Sequence, residues 1–394
     1  MFAGIMSVAA RNQRKVVSAM REARVSDTHF GGSTGYGYGD SGREALDRVY
    51  ASVFKAESAV VRHQIASGTH AIGACLFGNL RPGDELLSIT GRPYETILAA
   101  IGLRGGGQGS LMDFGVTYSE VPLSPAGGID FQAVPGAINA RTKVVLIQRS
   151  RGYKWRDAVS IDEIARAASI VKNAREGLIL FVDNCYGEFV EDREPVEAGA
   201  DLIAGSLIKN PGGGLAPSGG YFAGAAEYVR NASYRMTVPG LGGDVGATHG
   251  ISRQMLQGFY MAPHVVSESL KSAVFLASLM EAEGYRALPA ACAPRSDIVQ
   301  AIELGAPGRL KAFCKGVQMG SAVDSFVTPE PGRMPGYRHD VIMAAGAFIQ
   351  GSSIELSADG PMEEPYVAYV QGGLIYESAK IGILSALNEL CKAG

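Results

Sequence analysis

The sequence predicts an α/β protein: a mostly parallel mixed sheet sandwiched by helices, a smaller C-terminal α+β domain and an N-terminal arm. Three observations carry this. Four short, near-continuous apolar runs (143–148, 178–183, 202–206 and 221–223) read as strands buried on both faces. A helical pattern at 161–171 separates the first two, as a parallel crossover requires. Beyond residue 260 the pattern changes, with helical stretches at about 264–283 and 374–391 enclosing short strand candidates near 298–303 and 341–348.

Taken in order, the chain begins with a helix at about 9–24. An extended arm follows, ending in Gly31-Gly32-Ser33-Thr34-Gly35-Tyr36-Gly37-Tyr38-Gly39-Asp40. Leu46, Val49, Tyr50 and Val53 repeat at helical spacing over 43–55. A strand at 59–61, a helix at 69–77, a strand at 85–89 and a helix at 94–101 lead into the central runs. The division expected is an N-terminal helix and arm (1–50), a large domain (51–260) and a small C-terminal domain (261–394). No solenoid period or low-complexity tract interrupts it.

Composition narrows the function classes. With 394 residues, 46% hydrophobic and 19% charged, the chain can bury a sizeable core. A net charge of −3 and the lack of a long basic run disfavour nucleic acid or an anionic membrane as partner. The longest apolar stretches are about half the roughly 20 residues of a membrane span. Residues 1–10 lack the basic start of a secretory signal. The five cysteines (Cys75, Cys185, Cys292, Cys314, Cys391) are scattered without a C-x-x-C, which indicates neither a disulfide framework nor a zinc site, and a cytoplasmic setting is expected. The histidines form no metal-spaced pair. The 52 glycines are nearly double the usual ~7%. They cluster in short runs, as ligand-binding turns do. Neither a dinucleotide fingerprint nor a P-loop is present.

Three fragments carry candidate chemistry. In Leu207-Ile208-Lys209-Asn210-Pro211-Gly212-Gly213-Gly214 a lysine leaves an apolar strand for a glycine turn. Alone it reads more readily as a solvated strand-end lysine. In Phe181-Val182-Asp183-Asn184-Cys185-Tyr186 a carboxylate ends a very apolar strand, where ligands bind in open α/β sheets. Buried there it needs a cation such as a protonated pyridine nitrogen, or serves as a hydrogen-bonded turn cap. In Ala66-Ser67-Gly68-Thr69-His70-Ala71 a small-residue turn opens a helix whose free N–H groups suit a phosphate; an ordinary N-cap is the alternative. Ser206, three residues before Lys209, could add a hydroxyl to the same phosphate.

The order S-G-T-H, Tyr94, V-D-N and S-L-I-K resembles the pyridoxal-phosphate enzymes of cysteine and methionine metabolism, the cystathionine γ-lyase-like group of the aspartate aminotransferase fold (fold type I). More narrowly, the chain is similar to the methionine γ-lyase or aluminium resistance family. The segments carrying this are Tyr36-Gly37-Tyr38-Gly39-Asp40, 147–153 (IQRSRGY), Asp183-Asn184, 207–214 and 350–361 (QGSSIELSADGP). The resemblance implies pyridoxal 5'-phosphate as cofactor, with Lys209 taking its aldehyde and Asp183 its ring nitrogen. Ser67, Gly68, Thr69 and Ser206 would hold the phosphate. Tyr94 would stack on the ring and assist the leaving thiolate, and Lys209 would move the Cα proton. Tyr36 or Tyr38, the latter slightly preferred, would reach a neighbouring subunit's phosphate, implying a catalytic homodimer, commonly doubled to a homotetramer. One departure stands out. Glu355-Leu356-Ser357 replaces the arginine-led L-S of the cystathionine γ-synthase-like enzymes, so Arg151, Arg149 and Arg338 are the candidates for the substrate carboxylate. The activity implied is carbon–sulfur elimination at Cβ or Cγ of a sulfur-containing amino acid, giving a 2-oxo acid, ammonia and a thiol. An aminotransferase, a decarboxylase or retro-aldol enzyme, and a cofactor-binding resistance or regulatory protein without turnover are the alternatives.

Overall fold

The computed structural model describes residues 1–104, 108–334 and 337–393. Helix α1 (Phe2–Glu22) is followed by the arm and α2 (Ser41–Phe54), where the Asp40 carboxylate caps the helix by accepting from the Arg43 amide. Strand β1 (Ser58–Arg62) leads to α3 (Gly68–Asn79), then β2 (Glu85–Ser88), α4 (Glu95–Ile101), β3 (Thr117–Glu120) and the single turn α5 (Val134–Ala137). Next come β4 (Thr142–Gln148), α6 (Ile161–Ala174), β5 (Ile179–Asp183), β6 (Leu202–Ser206), β7 (Gly220–Gly224) and α7 (Ala226–Met236). Ser160 and Glu163 form a reciprocal capping box that fixes the start of α6. The 31-residue α8 (Ser252–Ala282) precedes β8 (Arg286–Leu288), β9 (Gln300–Glu303), α9 (Pro307–Met319), β10 (Val341–Ala345), β11 (Ser357–Pro361), β12 (Val367–Gln371) and α10 (Tyr376–Ala393).

The first sheet has the order β1-β7-β6-β5-β4-β2-β3. The four pairings from β6 through β3 are parallel, and β7 runs antiparallel to both its neighbours. This is the mostly parallel mixed sheet expected. Alternation along the strands explains why their sequences are apolar throughout. Val145, Ile147, Leu180, Val182 and Ile203 join one core with residues of α1, α2, α6 and α8. Val144, Leu146, Ile179, Phe181 and Leu202 join a second core, on the other face, with α3 and α7. The second sheet, β10-β11-β12-β9-β8, is antiparallel. One face packs on α9, α10 and the end of α8; the other carries Val299, Ala301, Val367 and Tyr369 towards Tyr153 and Tyr186 of the first half.

Three of the departures from expectation have a clear local reason. Helix α8 starts twelve residues before the predicted 264 because Pro263, a usual helix stop, is buried inside it. Helix α9 begins with Pro307-Gly308, which reads as a turn. Strand β11 is Ser-Ala-Asp-Gly-Pro, residues depleted from strands, yet all five are buried. Among the described residues no helix is long and apolar enough to cross a membrane.

Candidate active site

Parallel strands deliver their C-terminal residues to one edge of a sheet. Here that edge holds Gln148 from β4, Asp183 from β5 and Ser206 from β6. Lys209 follows β6 by three residues, before a tight turn at Asn210–Gly212. The turn needs its glycines. Gly213 has φ +54°, and a Cβ on it would lie 2.1 Å from the Gly258 carbonyl oxygen of α8.

Asp183 and Lys209 line one cavity of about 70 Å³, together with Tyr94, Tyr186 and Asp359. The Cys185 amide donates to Asp183 Oδ1 over 3.2 Å. Burial pushes the Asp183 carboxyl up and the facing Lys209 ammonium draws it back. Burial opposes the Lys209 ammonium as well, but Cys185, Tyr186 and Asp183 outweigh it and hold that pKa well above its ordinary value. Lys209 Nζ also sits 4.1 Å from the Tyr186 ring centroid, within cation–π range. Tyr186 itself adopts φ +71°, a conformation uncommon for a bulky residue and concentrated at functional sites.

The start of α3 abuts this group. A Cβ on Gly68 would meet Cys185 Sγ at 3.2 Å and Ser206 Cβ at 3.3 Å. Cys185 is on the cavity wall, so the helix N-terminus, Ser206 and the Asp183–Lys209 pair form one contiguous set. The Ser67 hydroxyl caps α3, accepting from the His70 amide at 3.1 Å. Thr69 Oγ1 is 2.9 Å from Thr96 Oγ1, which ties α3 to α4.

Tyr94 immediately precedes α4 and borders two spaces, the inner cavity and an outer one of about 330 Å³. Its hydroxyl accepts a hydrogen bond from the Tyr337 hydroxyl. Burial, with Tyr186 alongside, pushes the Tyr94 phenol up to about 12. Tyr153 stacks edge-on at 6.0 Å from it.

The methionine gamma-lyase family model matches residues 1–391. The chain belongs to this family. It is 54% identical over 387 residues to the uncharacterised YnbB of Bacillus subtilis, covering 98% of this chain and 92% of YnbB. It is 51% identical to a Listeria monocytogenes structure provisionally described as a cystathionine beta-lyase involved in aluminium resistance, with TM-score 0.97 over 99% of this chain and 96% of that one. A Clostridium novyi structure described as a carbon-sulfur lyase involved in aluminium resistance is 50% identical, with TM-score 0.94 over 98% and 91% of the two chains.

Within this member of the methionine gamma-lyase family, the three candidate arginines part company. Arg149 is fully buried away from both cavities. It donates to Asn184 Oδ1 at 2.7 Å and Glu191 Oε1 at 2.9 Å, with Glu194 at 3.8 Å. Its guanidinium is thus committed to a carboxylate network behind the sheet edge. Arg151 lines the outer cavity, donates to the Leu288 carbonyl at 2.9 Å and lies 3.5 Å from Asp297. Arg338 lines the same cavity. Glu355 faces neither space; it accepts from the Phe348 and Ile349 amides at 2.8 and 3.0 Å and so braces their loop. Tyr36 and Tyr38 are exposed and stacked on each other at 5.5 Å, away from the Lys209 cavity. Sequence reasoning missed Tyr153, Tyr186, Tyr337, Asp359 and Gln371. Tyr186 extends the strand-end motif of Asp183, and Tyr153 and Asp359 lie within the segments 147–153 and 350–361 that carry the resemblance, whereas Tyr337 and Gln371 lie in none of these segments.

Proposed function

We propose that this site binds pyridoxal 5'-phosphate and catalyses carbon–sulfur elimination from an amino acid, releasing a 2-oxo acid, ammonia and a thiol. The observation that carries the reading is the shared cavity of Asp183 and Lys209 beside the N-terminus of α3. The donor set fits that cofactor. It offers a carboxylate for a pyridinium nitrogen, an amine for an aldehyde, and helix amides with the Gly68, Thr69 and Ser206 groups for a phosphate. Ser67 serves that set by capping the helix. When bound, the cofactor withdraws electrons from the substrate Cα. Asp183 would keep the ring nitrogen protonated, Lys209 would take the Cα proton and return it, and Tyr94, on the wall of the same cavity, would assist the leaving thiolate. Arg151 and Arg338, which line the outer cavity, would grip the substrate carboxylate. The exposed Tyr36–Tyr38 pair suits contact with a second copy of the chain, which supports a homodimer as the catalytic unit.

The test is direct. Protein reconstituted with pyridoxal phosphate should gain the visible absorbance of a lysine-bound cofactor, and borohydride should fix the label on Lys209. Incubation with methionine, cystathionine, cysteine and homocysteine, read by mass spectrometry, should show keto acid and thiol. A label on another lysine overturns the cofactor site. An amino group passed to a second keto acid, with no ammonia or thiol, makes the protein an aminotransferase.

A further inference from the structure

Tyr94 and Tyr337 meet although they stand 243 positions apart in the chain. Tyr94 precedes α4, and Tyr337 lies between α9 and β10, where its amide donates to the Met334 carbonyl at 3.1 Å. Their rings sit edge to face, with centroids 6.0 Å apart and planes at 77°. Tyr153 packs on both, at 6.0 Å from Tyr94 and 5.5 Å from Tyr337, and rests in turn on Tyr369 of β12 at 5.2 Å. These separations lie in the favoured range for aromatic pairs, and together they fix where the two phenol oxygens stand.

A phenol has one hydrogen to donate. Tyr337 spends its own on the Tyr94 oxygen, so the hydrogen of Tyr94 is left for another acceptor. Tyr337 lines the outer cavity, whereas Tyr94 also borders the inner one with Lys209 and Asp183. The hydrogen bond therefore runs from the outer cavity inward. Electrostatics give it a use. Burial, Tyr186 and Asp359 oppose an ionised Tyr94, and the Tyr337 hydroxyl and Lys209 favour one. Burial and the neighbouring Tyr94 push the Tyr337 phenol far above its ordinary range, so Tyr337 keeps its proton and remains the donor. On the proposed function Lys209 is occupied with the aldehyde and the Cα proton. Tyr337 is then the group among these that remains to support a phenolate at Tyr94.

We propose, resting on the reading that Tyr94 assists the leaving thiolate, that Tyr337 is a positioning residue for that step: its hydroxyl aims the Tyr94 proton at the sulfur and stabilises the phenolate left behind. The substrate C–S bond breaks with its electron pair going to sulfur. The Tyr94 O–H bond breaks, its proton forms the S–H bond of the thiol, and its electron pair stays on oxygen. Tyr337 gives up no proton; it donates a hydrogen bond that strengthens as charge develops on Tyr94. Solvent returns a proton to Tyr94 through the outer cavity, which that residue also borders. The support matters when the leaving sulfur needs a proton. An arylthiolate, a weak base, departs without one; an alkylthiolate does not.

The experiment uses protein loaded with pyridoxal phosphate and matched substrates, the S-ethyl and S-(4-nitrophenyl) derivatives of cysteine and of homocysteine, with kcat for thiol release measured on each. In whichever series turns over, Tyr337→Phe should lower the ratio of S-ethyl to S-(4-nitrophenyl) kcat by about 10–100-fold, the worth of one hydrogen bond to an ionised group. A ratio taken on one preparation does not depend on how much of the variant folds. Tyr94→Phe should move the ratio in the same direction by at least as much. The double variant should move it no further than Tyr94→Phe alone, because the residue through which Tyr337 acts is gone. A ratio unchanged in either single variant, or a further fall in the double variant, overturns the proposal and leaves the lyase reading standing. Wild-type protein that releases no thiol from any of the four substrates removes the lyase reading, and this proposal with it.

Discussion

Replacing Glu188 by glutamine isolates the energetic burden of a buried acid behind the active-site edge. Glu188 is 0% exposed. Its Oε1 accepts from the Tyr221 hydroxyl at 2.8 Å, while Oε2 has no partner among the described residues. Burial, reinforced by the nearby Glu194, pushes this carboxyl from its ordinary 4.5 up to about 8. The folded protein therefore holds the proton more tightly than the unfolded chain. The stabilisation from that proton is complete below about pH 4.5, declines through the window up to about 8, and is gone above it. The gap corresponds to about 5 kcal/mol at most, at 1.36 kcal/mol per pKa unit. Glutamine keeps an acceptor for Tyr221 and never ionises. Glu188→Gln should match the wild type near pH 5 and exceed it by several kcal/mol near pH 8.5. Urea and thermal midpoints of the full chain, taken across this range, measure the difference. A difference that stays flat with pH, or a variant no more stable at pH 8.5, would refute the assignment of Glu188 as a neutral acid in the fold.

Gly213→Ala should lower the thermal midpoint, with a loss of about 3 kcal/mol, because the new methyl strikes the Gly258 carbonyl and the backbone sits at φ +54°. Arg149→Met should destabilise by about 3–5 kcal/mol in the same assay, since Glu191 and Glu194 lose their cation; Arg151→Met should instead raise KM for amino-acid substrates. Tyr94→Phe should leave the melting curve and cofactor loading intact and lower kcat by about 10²–10⁴, the usual span for losing a positioned proton donor.

The large sheet was legible because each of its central strands is buried on both faces, so runs such as Val144–Ile147 and Leu180–Val182 are apolar without interruption. The candidate residues that share the inner cavity at their ends were conspicuous for the same reason. Asp183 is conspicuous after Leu-Phe-Val, and Lys209 conspicuous before Pro-Gly-Gly. The C-terminal sheet was harder to read. Its strands answer to two different surroundings, the α9–α10 core on one side and the site on the other, and β11 meets both with small and polar residues. Pro263 hid the first twelve residues of α8, because a local rule about proline is overridden when the helix is packed along much of its length.

The arginine question has the same origin. From sequence, Glu355 marks where an arginine would stand, and Arg149 and Arg151 are two residues apart and chemically alike. Only the fold separates them. Residue 149 follows β4 with its side chain turned into the Asn184–Glu194 network, whereas residue 151 emerges past the sheet edge into the outer cavity. Glu355 in turn is spent on two loop amides. Four residues later, the register of β11 against Tyr369 of β12 fixes Asp359 on the cavity side. The carboxylate that faces the cavity on this segment thus belongs to a position that strand pairing selects, not to the one that the resemblance points to. The candidate site accordingly holds Asp183, Asp359 and Lys209 within, and at its mouth Arg92, Arg151, Lys154 and Arg338 beside Glu95 and Glu363.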